Sequence, residues 1–237
     1  MRRVLLIVCV LLLPLQVESY EIATHEEMTR VSGGRAVADR VLKEDLGRVE
    51  GLRSTVQGRR LEEWLVQGGA REDNFPRFLN HFHNPLASTW SQAGLGGSIG
   101  QSSILWAQNR DQSAPAWSWQ DVRQYLFEAL TKPSSDERDK SLGGTLEGLG
   151  RQVHLVQDSA SPAHSRNDPH FLHNYETVVD DLRIREGPLF DGWLEASSDA
   201  PDFPVAGWES LDGNPLAPIA IARLIDTDRY SGSNPAR

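Results

Sequence analysis

The sequence predicts an all-α fold, built as a single helical domain. Apolar residues recur at helical spacing in several windows, each opened by a capping residue, and no run of alternating β-branched residues is found. No internal repeat, low-complexity linker or shift in composition divides the chain after its first nineteen residues.

Taken in order, residues 1–19 (MRRVLLIVCVLLLPLQVES) place two arginines ahead of an apolar run from Val4 to Leu15. The run is shorter than the roughly 20 residues that span a bilayer, and small or aliphatic residues follow it. It reads as a signal peptide cleaved after Ser19, leaving 20–237 as one mature domain with Tyr20 first. The expected location is secreted or periplasmic, and the expected state is a monomer. Cys9, the only cysteine, lies in the leader, so the mature chain would have neither disulfide nor thiolate ligand.

Thr24 with Glu27 forms a capping-box pattern that predicts a helix starting near His25, with that histidine in its first turn. LEEWLVQGG, from Leu61, predicts a helix ending at Gly68, and long irregular connections follow to about Pro115. Ser118 is the expected N-cap of a helix whose apolar face is Val122, Tyr125, Leu126 and Leu130. Leu142, Leu146, Leu149, Val153 and Val156 keep a four-three-four-three spacing, which predicts one buried helical stripe. Asp168 then Pro169 reads as an N-cap and first helical position, and Gly187-Pro188 stops the helix that results. Trp64 is expected in the core of its helix. Core packing is also expected for Trp106, Trp117 and Trp119, although they lie where a lipid or base could stack.

Charge narrows the function. The leader removes two of 24 basic residues and one of 33 acidic ones, leaving a net charge of about −10. A long basic face for duplex nucleic acid is therefore not expected. No later apolar run could cross a membrane.

Histidines carry the chemical signal. The seven are His25, His81, His83, His154, His164, His170 and His173, with none between 84 and 153 and none after 173. In HLVQDSASPAH, His154 and Asp158 lie four apart near a helix end and project from one face, beside the leucine stripe. Pro162 then takes the chain out of the helix, so that His164 could reach a second ion next to the first. His173 and Glu176 share a face of the following helix, and imidazole with carboxylate is a ligand set that zinc accepts. Taken singly, a histidine is more often a surface or hydrogen-bonded core residue than a ligand, and a His and Asp four apart on a helix can be a local hydrogen bond; the concentration favours a metal site. A Ser-His-Asp arrangement using Ser159 or Ser161 lacks a nucleophile-elbow pattern.

The stretch HLVQDSASPAH resembles the signature of the bacterial zinc-dependent phospholipases C and the related fungal single-strand-specific nucleases: His, three residues, Asp, five residues, His, with proline two before the last histidine. NHFHNP at Asn80 to Pro85 looks like the family's histidine-phenylalanine-aromatic-aspartate-proline segment, and the interval from Tyr20 to His25 matches its N-terminal spacing. The resemblance touches points from residue 20 to 176. It implies a helical domain with three zinc ions at the bottom of a cleft. On that footing Asp73, His81, His154 and Asp158 would hold one ion. Asp158 would bridge to a second, completed by His25 and by the amino group and carbonyl oxygen of Tyr20. His164, His173 and Glu176 would hold the third. Asp73 is also the implied general base. Glu72 is an alternative to Asp73, and His170 to His173, whose spacing from Glu176 is three where the family has four. His83 is expected in a cleft wall.

The function implied is exported, zinc-dependent hydrolysis of a phosphodiester by a zinc-activated water. A phospholipid substrate stands ahead of single-stranded nucleic acid, because Glu176 and the HF-x-x-P segment look more like the phospholipases. A single-strand-specific nuclease, or a metal-binding relative without turnover, are the alternatives.

Overall fold

The computed structural model describes residues 22–84, 99–112, 115–166 and 175–187. The described chain is helical: α1 (Ile22–Arg35), α2 (Ala38–Glu44), α3 (Leu61–Glu72), α4 (Ser103–Gln108), α5 (Trp119–Thr131), α6 (Ser135–Ala160), α7 (Pro162–Arg166) and α8 (Tyr175–Arg185). Short 3-10 turns lie at Gly51–Arg53 and Arg77–Asn80. Among the described residues the sheet is one small antiparallel hairpin, Thr55–Val56 against Arg59–Arg60. Its turn places Gln57 and Gly58 at φ 49° and 73°, the left-handed pair a two-residue hairpin turn requires. No described helix is long and apolar enough to cross a membrane.

Helix α6 is the axis of the fold, with α3 packed on one side and α5 on another, while α1 lies against α3. Leu142 and Leu146 of α6 join Leu61 and Leu65 of α3 with Leu42, Leu52 and Val56 in the apolar core. The expected stripe thus holds at its start. It fails at its end: Val156 is exposed and Leu155 buried, because the inward face passes to Glu147, Arg151, His154 and Asp158. Similarly, α5 buries Val122 but leaves Leu126 and Leu130 largely exposed, packing through Tyr125 and Ala129 instead. Ser118 caps α5 as predicted, in a reciprocal capping box with Asp121.

Two glycines overturn the predicted end of α3. The helix runs through Gly68 and Gly69 to Glu72, and Asp73 is its C-cap. These glycines mark a close crossing with α6. A Cβ at Gly68 would lie 2.0 Å from the Glu147 carbonyl oxygen, and one at Gly150 would lie 1.9 Å from that of Leu65. Only hydrogen fits between the two backbones there. The extra turn carries Asp73 toward the C-terminal half of α6.

A buried ionic network braces the crossing. Glu72 accepts two hydrogen bonds from Arg77 at 2.8 and 2.9 Å, one from Arg151 at 3.1 Å and one from the Trp106 indole at 2.9 Å. Arg151 also reaches Glu147, which Arg71 approaches at 2.9 Å. Trp106 and Trp117 are buried, while Trp64 is partly buried and donates to the Val56 carbonyl. The Thr24 capping box is not formed. Thr24 lies inside α1 and donates to Asp180 of α8 at 2.8 Å, while Arg183 donates to the Thr24 hydroxyl at 3.0 Å.

Candidate metal centre

Four segments deliver the predicted side chains to one buried place. His25 comes from the first turn of α1, Asp73 from the cap of α3, His81 from the end of the 3-10 turn, and His154 and Asp158 from successive turns of α6. Proline chemistry supplies His164. Ser161, before Pro162, is extended (φ −75°, ψ 127°), so α6 stops at Ala160 and α7 restarts with His164 turned back toward Asp158. His25, His81, His154, Asp158, His164 and Glu176 are all buried, and the Asp73 side chain is 6% exposed.

The first cluster has a measurable shape. His81 Nδ1 lies 2.8 Å from Asp158 Oδ2, 3.4 Å from Asp73 Oδ1 and 3.3 Å from His154 Nε2. His154 Nε2 is 3.2 Å from Asp158 Oδ2 and 3.3 Å from Asp73 Oδ1. An ion held tetrahedrally at about 2.0–2.1 Å sets its ligand atoms about 3.3–3.4 Å apart. Four of these five separations are therefore close to a tetrahedron's edge, and the fifth, 2.8 Å between His81 and Asp158, is shorter. Two groups of ligand atoms meet the spacing an ion needs: His81 with His154 and Asp158, and His25 with Asp73 and His154. These buried His/Asp clusters could hold a metal ion.

The donors fit that reading. Both carboxylate oxygens of Asp73 are buried and lack a hydrogen-bond partner among the described residues. A buried carboxylate in that state is costly unless a cation completes it. Asp158 divides its oxygens: Oδ2 faces His81 and His154, while Oδ1 lies 3.3 Å from His25 Nε2. One carboxylate thus faces two neighbouring places. Farther along, His164 Nε2 is 3.2 Å from Glu176 Oε1, and Ser161 donates to the same oxygen at 2.5 Å.

Comparison with known proteins leaves the family open. No family model and no solved structure matches the chain. It is similar to an immunoglobulin A1 protease autotransporter of Haemophilus influenzae, 25% identical over 150 residues. That match takes in 63% of this chain, which spans 7% of the length of that protein.

Protonation follows the same geometry. Burial alone pushes His154 down, but the charges of Asp158 and Asp73 outweigh it and hold the imidazole well above its usual 6.5. Asp158 is raised by burial and overridden by His154, His164 and His81, so its carboxyl sits well below the usual range. His164 is raised despite burial, chiefly by Asp158 and Glu176. In the metal-free chain, protons on His154 and His164 are the positive charge that faces Asp158.

Several alternatives are decided by position. Glu72, the alternative to Asp73, is occupied by two arginines and an indole. Ser159 donates to the Leu155 carbonyl and Ser161 to Glu176, so neither hydroxyl makes a described hydrogen bond to an imidazole. His83 meets Ser102 at 2.8 Å, and burial pushes its pKa down. Tyr20, His170, His173, Asp168 and Pro169 lie outside the described residues. Sequence reasoning missed Gln157, which contacts His25 at 2.7 Å, and used Ser161 only as a nucleophile. Gln157 was findable, because it stands three residues from His154 on the same helix.

Proposed function

We propose that this protein is an exported zinc-dependent phosphodiester hydrolase, most closely akin in chemistry to the phospholipases C. The observation that carries the reading is the convergence of His81, His154, Asp73 and Asp158 on near-tetrahedral spacing, with the second oxygen of Asp158 turned to His25. Imidazole and carboxylate donors without a thiolate suit zinc; four such donors fill a tetrahedron, so the position for a catalytic water would have to come from a fifth coordination site or from the neighbouring place between Asp158 and His25.

Three ions are proposed. Asp73, His81, His154 and Asp158 would hold the first. Asp158, His25 and the amino group and carbonyl of Tyr20 would hold the second, and His164, His173 and Glu176 the third. When bound, such ions lower the pKa of water to near neutrality and stabilise charge developing on phosphorus. The chain supplies the rest. Asp158 keeps the first two places adjacent, and burial removes competing water from the imidazoles. Asp73 has a second oxygen free of described hydrogen bonds, at which a proton from the attacking water can be accepted. Cleavage after Ser19 would create the Tyr20 amine, so loading would follow export.

The test is zinc per chain in the signal-cleaved protein, followed by hydrolysis of lecithin and of single-stranded DNA. About three zincs with lecithin turnover is expected. Turnover of DNA alone would move the reading to a single-strand-specific nuclease, and tight zinc with neither activity to a non-catalytic relative. Absence of zinc removes the proposal.

A further inference from the structure

We propose that Gln157 is a positioning residue that fixes the ring of His25 for metal binding, an inference that rests on the zinc reading above. A histidine that binds an ion through one nitrogen carries its proton on the other, and an acceptor for that proton fixes the tautomer and the ring's orientation. His25 turns Nε2 toward Asp158 Oδ1, so Nδ1 must carry that proton. The group facing Nδ1, at 2.7 Å, is the amide oxygen of Gln157. The amide is anchored in turn, its nitrogen donating to the buried Thr29 hydroxyl at 3.2 Å. Thr29 stands four residues after His25, on the same face of α1, and Gln157 stands beside Asp158 on α6. The relay therefore ties the ring to α1 and α6, the two helices that carry His25 and Asp158.

The other imidazoles of the centre are treated differently. His164 Nδ1 lies 3.1 Å from the His81 carbonyl oxygen, a backbone acceptor that no side-chain change removes. His81 Nε2 and His154 Nδ1, the nitrogens turned away from the carboxylates, have no hydrogen-bond partner among the described residues. Gln157 thus acts on the place between His25 and Asp158 and leaves the His81–His154 cluster to itself. Loss of such an outer partner typically lowers metal affinity by about 10–100-fold.

The experiment titrates zinc against a chromophoric chelator in the signal-cleaved wild-type protein, Gln157→Leu and Gln157→Glu, and records the Nδ1–H proton of His25 by nitrogen-proton correlation in the zinc-loaded proteins. Gln157→Leu is expected to weaken one class of zinc site about 10–100-fold, spare the others and lose the protected Nδ1–H signal. Gln157→Glu keeps an acceptor at that position and should retain both. Equal zinc affinity at every site in Gln157→Leu overturns the assignment, and so does a uniform loss across all sites in both variants. A wild-type chain that takes no zinc overturns the metal centre itself, a result distinct from either.

Discussion

Replacing Gly150 by alanine separates the helices that deliver Asp73 and His154. The new Cβ would lie 1.9 Å from the Leu65 carbonyl oxygen, with the Gly69 nitrogen and the Leu65 carbonyl carbon each at 2.9 Å. Carbon and oxygen normally approach to about 3.3 Å, so α3 and α6 must part by an ångström or more. Both partners are backbone, and no rotamer change relieves the overlap. Overpacking costs about 1–3 kcal/mol, and backbone against backbone belongs at the upper end. Alanine recovers up to about 1 kcal/mol of helical propensity. The net loss is about 2 kcal/mol, or roughly 4–8 °C in Tm for a domain of this size. The same movement stretches the 3.3 Å between His154 Nε2 and Asp73 Oδ1 beyond the edge a tetrahedral ion tolerates. Thermal melting and zinc retained after dialysis read the two effects. Gly34→Ala is the control: nothing lies within 4 Å of its Cβ, so it should be neutral or stabilising by up to about 1 kcal/mol. A Gly150→Ala chain that melts at or above the wild-type temperature with its zinc retained refutes the close crossing.

Asp73→Asn should abolish one zinc per chain, while in the metal-free chain it removes one of the two carboxylates that hold His154 charged and leaves Asp158 at 3.2 Å to pair with it. Glu72→Ala should spare the zinc but cost about 3–5 kcal/mol by stranding Arg77 and Arg151, and urea melts of the two variants separate the roles. The metal-free fold should also respond to pH. The folded pKa of His154 lies above its ordinary 6.5, so its contribution is complete below that pH and is lost as pH rises through the folded value. Asp158, held below its ordinary 3.8, contributes above that pH and is lost as acid protonates it through the folded value. Urea midpoints in chelator should therefore fall toward alkaline pH, and a rise there would contradict the ion-pair reading. Zinc affinity should climb over the same interval, because binding displaces protons. Thr24→Val should cost about 1–3 kcal/mol by leaving Asp180 and Arg183 without the hydroxyl, measurable as a Tm drop without a change in the His81–His154 site.

Local spacing made part of this legible. Four residues along a helix put His154 and Asp158 on one face, and the proline rule turned the chain at Ser161 toward His164. Tertiary effects hid the rest. Gly68 and Gly69 read as a stop because a glycine's lost conformational freedom is local, whereas the crossing that needs them involves Gly150, some eighty residues away. Val156 fits the apolar stripe of α6, but the inward face of that helix becomes ionic at Glu147 and Arg151, a change that periodicity of apolar residues does not register. The choice between Glu72 and Asp73 was open in the sequence. It depended on which carboxylate met Arg77, Arg151 and Trp106.

Helix α6 is 26 residues long and carries the core leucines Leu142 and Leu146 about two to three turns before its histidine. Leu142 and His154 are about 18 Å apart along that axis, farther than the distance over which substitutions usually influence one another. The two stretches can therefore drift independently. A descendant could discard its chemistry by changes confined to the last turns of this helix and keep the same architecture, or rebuild its core without disturbing the site. Among such descendants, overall likeness would record ancestry, and His25, Asp73, His81, His154 and Asp158 would record whether the cluster survives.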